Sequence, residues 1–286
     1  MTLLRLFNLV WIAILMSWPL PSNAQNKNSV LSPVLTIATE GYVRPYNLTR
    51  SDGTLDGYDV ELGTYLCQTM KVECNFIAIP FEAIITSLQA GKVDAVMGAL
   101  SATPAREKII DFSMSYGGTP QVFATLRDGP YSKLPHNDEN LDLSGNQPST
   151  EQTLQDVATA IKGATIGVVG GSVAQSLVNA YFSKETTIRE YKTAEQADLD
   201  LTSGRIDMQV TARSYLNTIQ KTPAYANIVM TGPLFKGGLL GRGVAVGLRK
   251  DETDLKRRFN SAIMAAKADG TIKRLSEKWF GFDVAP

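Results

Sequence analysis

The stretch "LQAGKVDAVMGALSAT" (Leu88–Thr103) returns in altered form as "LTSGRIDMQVTARSY" (Leu201–Tyr215). Each has a helix end, a glycine, a lysine or arginine, one aliphatic residue, an aspartate and then an apolar strand. A glycine stop followed by a continuous apolar run is the signature of a strand buried on both faces. Two copies 113 positions apart (201 − 88) imply two similar α/β units.

Around the first copy the pattern is strand, helix, strand, helix, strand. "VLTIATEG" ends in a glycine turn. "LDGYDVELGTYLCQTM" carries Val60, Leu62, Tyr65 and Leu66 at helical spacing. "VECNFIAI" returns to strand, and "FEAIITSLQAGK" sets Ile84, Ile85 and Leu88 on one helix face. Around the second copy, "ATIGVVGGSVAQSLVNAYF" reads as strand, glycine turn and helix. "TIREYKT" and "RIDMQVTA" follow as strands, with the helix "AEQADLDLTSG" between them. This succession predicts an α/β protein of two lobes, each a mixed, mostly parallel sheet flanked by helices. "GGTPQVFATLR" and "IVMTGPLF" read as the crossings. The expected hinges are therefore 117–121 and 229–233, with one lobe from 33–117 plus 234–286 and the other from 121–228. The polar stretch from Asp128 to about Gln152 reads as a surface excursion. A ligand in such an architecture sits between the lobes, at the carboxyl ends of the strands.

The first 24 residues stand apart. One arginine (Arg5), an apolar run from Leu6 to Trp18 and the breaker "PLPSNA" precede Gln25. This is the pattern of a cleaved signal peptide; the other reading is an uncleaved anchor, for which the run is short. Such a segment implies that the mature chain is exported. In that oxidising setting the two cysteines, Cys67 and Cys74, are expected to pair.

Composition narrows the function. Lys plus Arg equals Asp plus Glu, 28 against 28, so no basic stripe invites nucleic acid. No nucleotide fingerprint, zinc motif or nucleophile elbow is present, and the single histidine, His136, lies in a polar segment. No enzyme, metal or cofactor is implied. "GVVGGSVA" fits a strand-to-helix turn, whose free amides either cradle a carboxylate or simply make the turn. Arg106 follows Thr103, a helix cap, and Pro104, a first helical residue. A cation at the positive end of a helix gains nothing there. It is either a planar fork for a ligand carboxylate or a surface cation paired with Glu107 or Asp111.

These residues resemble the periplasmic solute-binding proteins of the polar amino acid and opine branch, which serve ABC importers. The likeness rests on "TIATEGYVRPYN", "LDGYDVELGTYLCQTMKVEC", "FEAIITSLQAGKVDAVMGALSATPAREKIIDFS", "IGVVGGSV", "LTSGRIDMQV" and "GRGVAVGLRKDETDLK". Together with "DGTIKRLSEKWFGFD" they span about Leu35 to Asp283. The resemblance implies the type II periplasmic-binding-protein fold. It also implies a Cys67–Cys74 disulfide, as in the lysine/arginine/ornithine-binding subgroup, and is strongest to the octopine- and nopaline-binding proteins.

Carried over by position, Arg106 is the carboxylate clamp, with Gly98 and Ser101 beside it. Gly171, Ser172 and Val173 close on the same carboxylate from the second lobe. Phe81 stacks on the ligand, and Glu40 holds its distal polar group; the tyrosine expected on the opposite wall falls on Val43 by position, with Tyr42 one residue earlier. Gln121 matches a ligand-selecting position. Amino-acid binders keep an aspartate for the free α-ammonium where this chain has Ala212. Small residues at Gly98 and Ala99 read as room for bulk. The ligand so implied is an opine or similar N-substituted amino acid; the alternative is an ordinary basic or polar amino acid. The expected partners are that small molecule and an inner-membrane permease, with the protein itself a monomer.

Overall fold

The computed structural model describes residues 34–145 and 147–285. The signal-peptide reading of residues 1–24 lies outside the described residues. The first lobe begins with β1 (Val34–Thr39), β2 (Leu48–Thr49), β3 (Leu55–Asp56), α1 (Tyr58–Met70), β4 (Glu73–Ala78), α2 (Phe81–Gln89), β5 (Ala95–Val96), α3 (Pro104–Glu107) and β6 (Asp111–Gly117). The second runs through β7 (Gln121–Leu126), β8 (Asn140–Asp142), α4 (Pro148–Ala160), β9 (Thr165–Val169), α5 (Val173–Tyr181) and β10 (Thr187–Tyr191). It ends with α6 (Ala194–Thr202), β11 (Met208–Ala212), α7 (Arg213–Ile219) and β12 (Ile228–Lys236). The chain then returns to the first lobe as β13 (Val244–Leu248), α8 (Thr253–Ala268) and α9 (Thr271–Phe280).

The two sheets share a plan. One has the order β4-β1-β5-β13-β6 and the other β10-β9-β11-β7-β12-β8. In each, three parallel strands are followed by an antiparallel strand that has crossed from the other lobe: β13 against β5, and β7 against β11. The repeated sequence is thus a repeated half-sheet, as its spacing predicted.

Apolar periodicity becomes burial. Leu62 and Leu66 of α1 and Ile84 and Leu88 of α2 are fully buried. The first core also takes Phe259 and Ile263 of α8 and Ile272 and Leu275 of α9, so the C-terminal helices complete the first lobe. In the second core Phe123, Phe182 and Phe235 meet edge to face, with centroids 5.5–6.0 Å apart, a favoured aromatic geometry.

Three sequence expectations change. Residues 128–152 are not purely a surface excursion, because Leu134, Leu141 and Leu143 are buried and β8 pairs in parallel with β12. Helix α4 begins inside that stretch; Pro148 opens it, and Leu154, Val157, Ala158 and Ile161 form an apolar stripe at helical spacing. The third change concerns the second crossing. Residues 229–233 lie in β12, hydrogen-bonded to β7, and the pair "GP" (Gly232, Pro233) marks a bulge between Thr231 and Phe235. A glycine at positive φ inside a strand reads from sequence like a chain break, but here it bends a ladder that continues. The chain passes between sheets at 118–120 and at 237–243. Residues 234–236 accordingly belong with the second sheet. At Gly241 (φ 84°) a side chain would strike the Ala102 carbonyl, so only glycine lets this segment pass.

Cys67 at the end of α1 and Cys74 in β4 are bonded, their Cα atoms 6.1 Å apart and seven positions apart in sequence. A loop this short removes little unfolded-state entropy, about 2–3 kcal/mol. The double substitution Cys67→Ser/Cys74→Ser is expected to fold and to unfold in denaturant with stability lower by that amount. A protein that no longer folds would show the bridge to be a prerequisite for the fold.

Candidate functional site

The carboxyl ends of β1, β5, β9 and β11 face one another across a cavity of about 490 Å³. That is within the range of small-molecule sites, roughly 300–1,000 Å³. Its walls include Glu40, Tyr42, Phe81, Gly98, Ser101 and Arg106 from the first lobe. Gln121, Ser172 and Val173 line the other side. Gly171 is the one expected site residue that does not line the cavity, although its carbonyl takes part.

Arg106 sits where the cap predicted. The Thr103 hydroxyl accepts the Arg106 amide at 3.2 Å, and Pro104 opens the helix. The helix is a single turn of four residues, so its dipole offers Arg106 little opposition. The surface-cation reading fails on contacts: Glu107 pairs with Arg242 and Asp111 with Lys256. The guanidinium instead donates to the Ser101 carbonyl at 3.1 Å and, across the cleft, to the Gly171 carbonyl at 3.2 Å. Its carbon lies 5.4 Å from the centroid of the Phe81 ring, within cation–π range. Three of its five N–H donors remain for a ligand. Burial pulls its pKa down to about 10, partly countered by Glu40, and it remains a cation at neutral pH.

On the second lobe the glycine turn leads into α5. Ser172 caps that helix, accepting the Gln175 amide at 3.2 Å. The Ser172 amide, expected to face the ligand, donates instead to the Val169 carbonyl at 3.2 Å. The Val173 amide stands at the first position of the helix, where an N–H has no intrahelical partner. Gly171 has φ of +71°, and a side chain on it would meet the Phe81 ring at 3.5 Å. The turn is thus bare where the two lobes approach.

Tyr42 and Phe81 meet at the edge of the cavity although Tyr42 stands one residue before the expected position. The hydroxyl of Tyr42 accepts the Phe81 amide at 3.1 Å, so the side chain reaches the start of α2. Val43, in the next position, also lines the cavity.

Gly98 has a different role from the one read in the sequence. A Cβ there would lie 2.5 Å from Oε2 of Glu40. The space above Gly98 is filled by the Glu40 carboxyl and is no allowance for ligand bulk. Ala99, at φ of +49°, donates its amide to Asp59 at 2.7 Å. Glu40 is 5% exposed, and burial raises its pKa to about 8; the neighbouring Asp59 pushes the same way. Ala212 lines the cavity and is paired in register with Gln121, which is itself buried.

Sequence reading missed the hinge wall. Tyr46, Thr119 and Ser214 line the cavity. Thr119 and Ser214 share a hydrogen bond at 2.9 Å, and buried Tyr46 lines the cavity beside them. Their signal was present in position: Tyr46 is the second tyrosine of "YVRPYN", Thr119 lies in the first crossing, and Ser214 is two residues past Ala212. Sequence reading also missed the rim, where Arg44, Lys192, Lys236 and Arg242 are exposed cations against one exposed acid, Asp142.

Two half-sheets, two crossings and a cleft whose polar groups converge from both sides define a two-lobed solute-binding architecture. The comparisons place it further. The chain belongs to the bacterial extracellular solute-binding proteins, family 3, whose model matches residues 35–282. It is 37% identical over 270 residues to the octopine-binding periplasmic protein of Rhizobium meliloti, a match covering 88% of this chain and 92% of that one. It is 31% identical over 251 residues to the L-arginine-binding protein of Pseudomonas aeruginosa, covering 87% and 88%. Among solved structures, an ancestral arginine-binding protein bound to arginine gives a TM-score of 0.71 at 26% identity, covering 87% of this chain and 99% of that one. A His/Glu/Gln/Arg/opine family-binding protein from Silicibacter pomeroyi in complex with lysine gives 0.69 at 26%, covering 88% and 99%.

Gly98→Ala is expected to cost about 1–3 kcal/mol in chemical denaturation, the usual range for overpacking. In a Glu40→Ala background most of that cost should vanish. An equal penalty in both backgrounds would show that Glu40 does not fill the space.

Proposed function

We propose that this protein is the periplasmic binding component of an ABC importer for an opine, an amino acid whose amine carries a second, carboxylate-bearing group. Arg106 holds one carboxylate from the first lobe, and the Val173 end of α5 closes on it from the second. Phe81 and Tyr42 sandwich the aliphatic part, and Glu40 takes a distal cationic or polar group. The ligand favours the closed state because it is held by both lobes, and closure turns about 118–120 and 237–243. The remaining expectations belong with this reading: a cleaved signal peptide at 1–24, a monomer, and a permease as partner.

The observation that carries the proposal is position 212. A free α-ammonium taken out of water needs an anion beside it. The second-lobe wall offers Ala212 and, paired with it, the neutral amide of Gln121. That amide both donates and accepts, which suits a substituted amine and its extra carboxylate. The cationic rim supports the same reading, since it favours approach of a molecule with two carboxylates. The octopine-binding relative agrees in ligand class.

In a thermal-shift screen octopine is expected to raise the melting temperature more than L-arginine, L-lysine or L-histidine at equal concentration. Stabilisation by free amino acids alone would establish the basic amino-acid alternative instead. Arg106→Ala should weaken binding roughly a hundredfold or more, since two charge-assisted hydrogen bonds are lost, while leaving the melting curve cooperative. Ala212→Asp should shift preference toward L-arginine in calorimetry. An unchanged ratio of the two affinities would remove position 212 from the argument.

A further inference from the structure

Glu40 and Asp59 are acids buried side by side, 5% and 0% exposed. Between them lies Asn47, also fully buried. Its amide nitrogen donates to Oε2 of Glu40 at 3.3 Å and to Oδ2 of Asp59 at 3.4 Å. Its carbonyl oxygen accepts the amides of Gly41 at 2.8 Å and Val43 at 3.3 Å. One side chain thus anchors the loop that carries Tyr42, Val43 and Arg44 into the cleft. Asp59 in turn accepts the Ala99 amide at 2.7 Å and the Tyr116 hydroxyl at 2.7 Å. It therefore fixes the other loop of the first-lobe wall.

Neither acid has an ion-pair partner among the described residues. The charged and titratable groups facing Glu40 are Asp59 from α1, Tyr42 from its own loop and Arg106 from α3; Tyr116 of β6 lies behind Asp59. Of these charged and titratable groups only Arg106 favours a negative Glu40, and its guanidinium donates to the carbonyls of Ser101 and Gly171. Two buried carboxyls that share one amide cannot both ionise cheaply. Asp59 has the better donors, two strong bonds in the first turn of a helix, where a negative charge is favoured. Glu40 has only its own backbone amide and the long bond from Asn47. The proton therefore rests on Glu40. The direction of both pKa shifts agrees: burial raises Asp59 to about 6 and Glu40 to about 8.

We infer that Asn47 and Asp59 are positioning residues that keep Glu40 a neutral acid in the empty cleft, and that a ligand's cationic end enters in exchange for that proton. The Glu40 O–H bond breaks, its proton passes to solvent, and the carboxylate left behind pairs with the incoming guanidinium or ammonium. The inference rests on the reading of the cleft as the ligand site and extends it to the ligand's charge.

The test is a carbon-13 NMR titration of the glutamate carboxyls in the empty protein. One carboxyl, absent from Glu40→Gln, should titrate above neutral pH. In Asp59→Asn its midpoint should fall by about one pH unit or more, with the other glutamates unmoved. Every glutamate titrating in the ordinary range, or a Glu40 midpoint indifferent to Asp59→Asn, would overturn the inference. Calorimetry at pH 7 in phosphate and in Tris gives a second readout that does not depend on Asp59→Asn folding. About one proton should leave per bound octopine or L-arginine, and none in Glu40→Gln. Affinity should rise with pH by up to tenfold per unit below pH 8. Binding with no proton released would sink the exchange and leave the opine reading standing. Release with L-arginine and no octopine binding would do the reverse.

Discussion

Taking a charge out of water costs several kcal/mol unless something replaces the lost solvent. The floor of this cleft takes two carboxyls and draws a guanidinium down beside them, with no ion pair among the three. Each is supported differently. Asp59 has an amide and a hydroxyl at hydrogen-bond distance. Arg106 has two backbone carbonyls, one from each lobe. Glu40 has its own backbone amide, the side-chain amide it shares with Asp59 and, on the inference drawn above, a proton. Much of the first-lobe wall follows from these supports: glycine at 98, the left-handed turn at Ala99 and the anchored loop from 41 to 47. The site is an arrangement of incomplete electrostatics that the proposed zwitterionic ligand would complete.

What could be read from sequence divides along the range of the contacts. The half-sheet repeat was legible because strand burial and glycine stops are local patterns, and both copies carried them. Arg106 was legible because a cap and a proline fix its place in a turn within three residues. Gly98 was misread because its neighbour is Glu40, 58 positions away, and spacing does not reveal which side chain fills a gap. The Ser172 amide was misassigned for a similar reason: whether a turn amide faces a ligand or a carbonyl three residues back depends on how tightly the turn winds. The second crossing was misplaced because a bulged glycine and a chain break look alike in one dimension. Glu40 emerged as a site residue through family resemblance alone; nothing in its immediate sequence marks an acid at a strand end as buried.

The crossing strands carry a consequence for assembly. The second lobe is continuous, from Gln121 to Lys236, and holds all six of its strands within that span. The first is not: β13 lies between β5 and β6, and α8 and α9 fill its core. As the chain emerges from its N-terminus, the earlier half has every residue of its parallel strands and no means of closing its sheet. It must wait for Val244–Leu248 and the helices after it, while the later half has all six of its strands by residue 236 and its core by Leu240. Contacts of such long sequence separation are slow to form, because loop-closure entropy opposes them first. The lobe that carries Glu40 and Arg106 is therefore begun first and is the last to have all its residues.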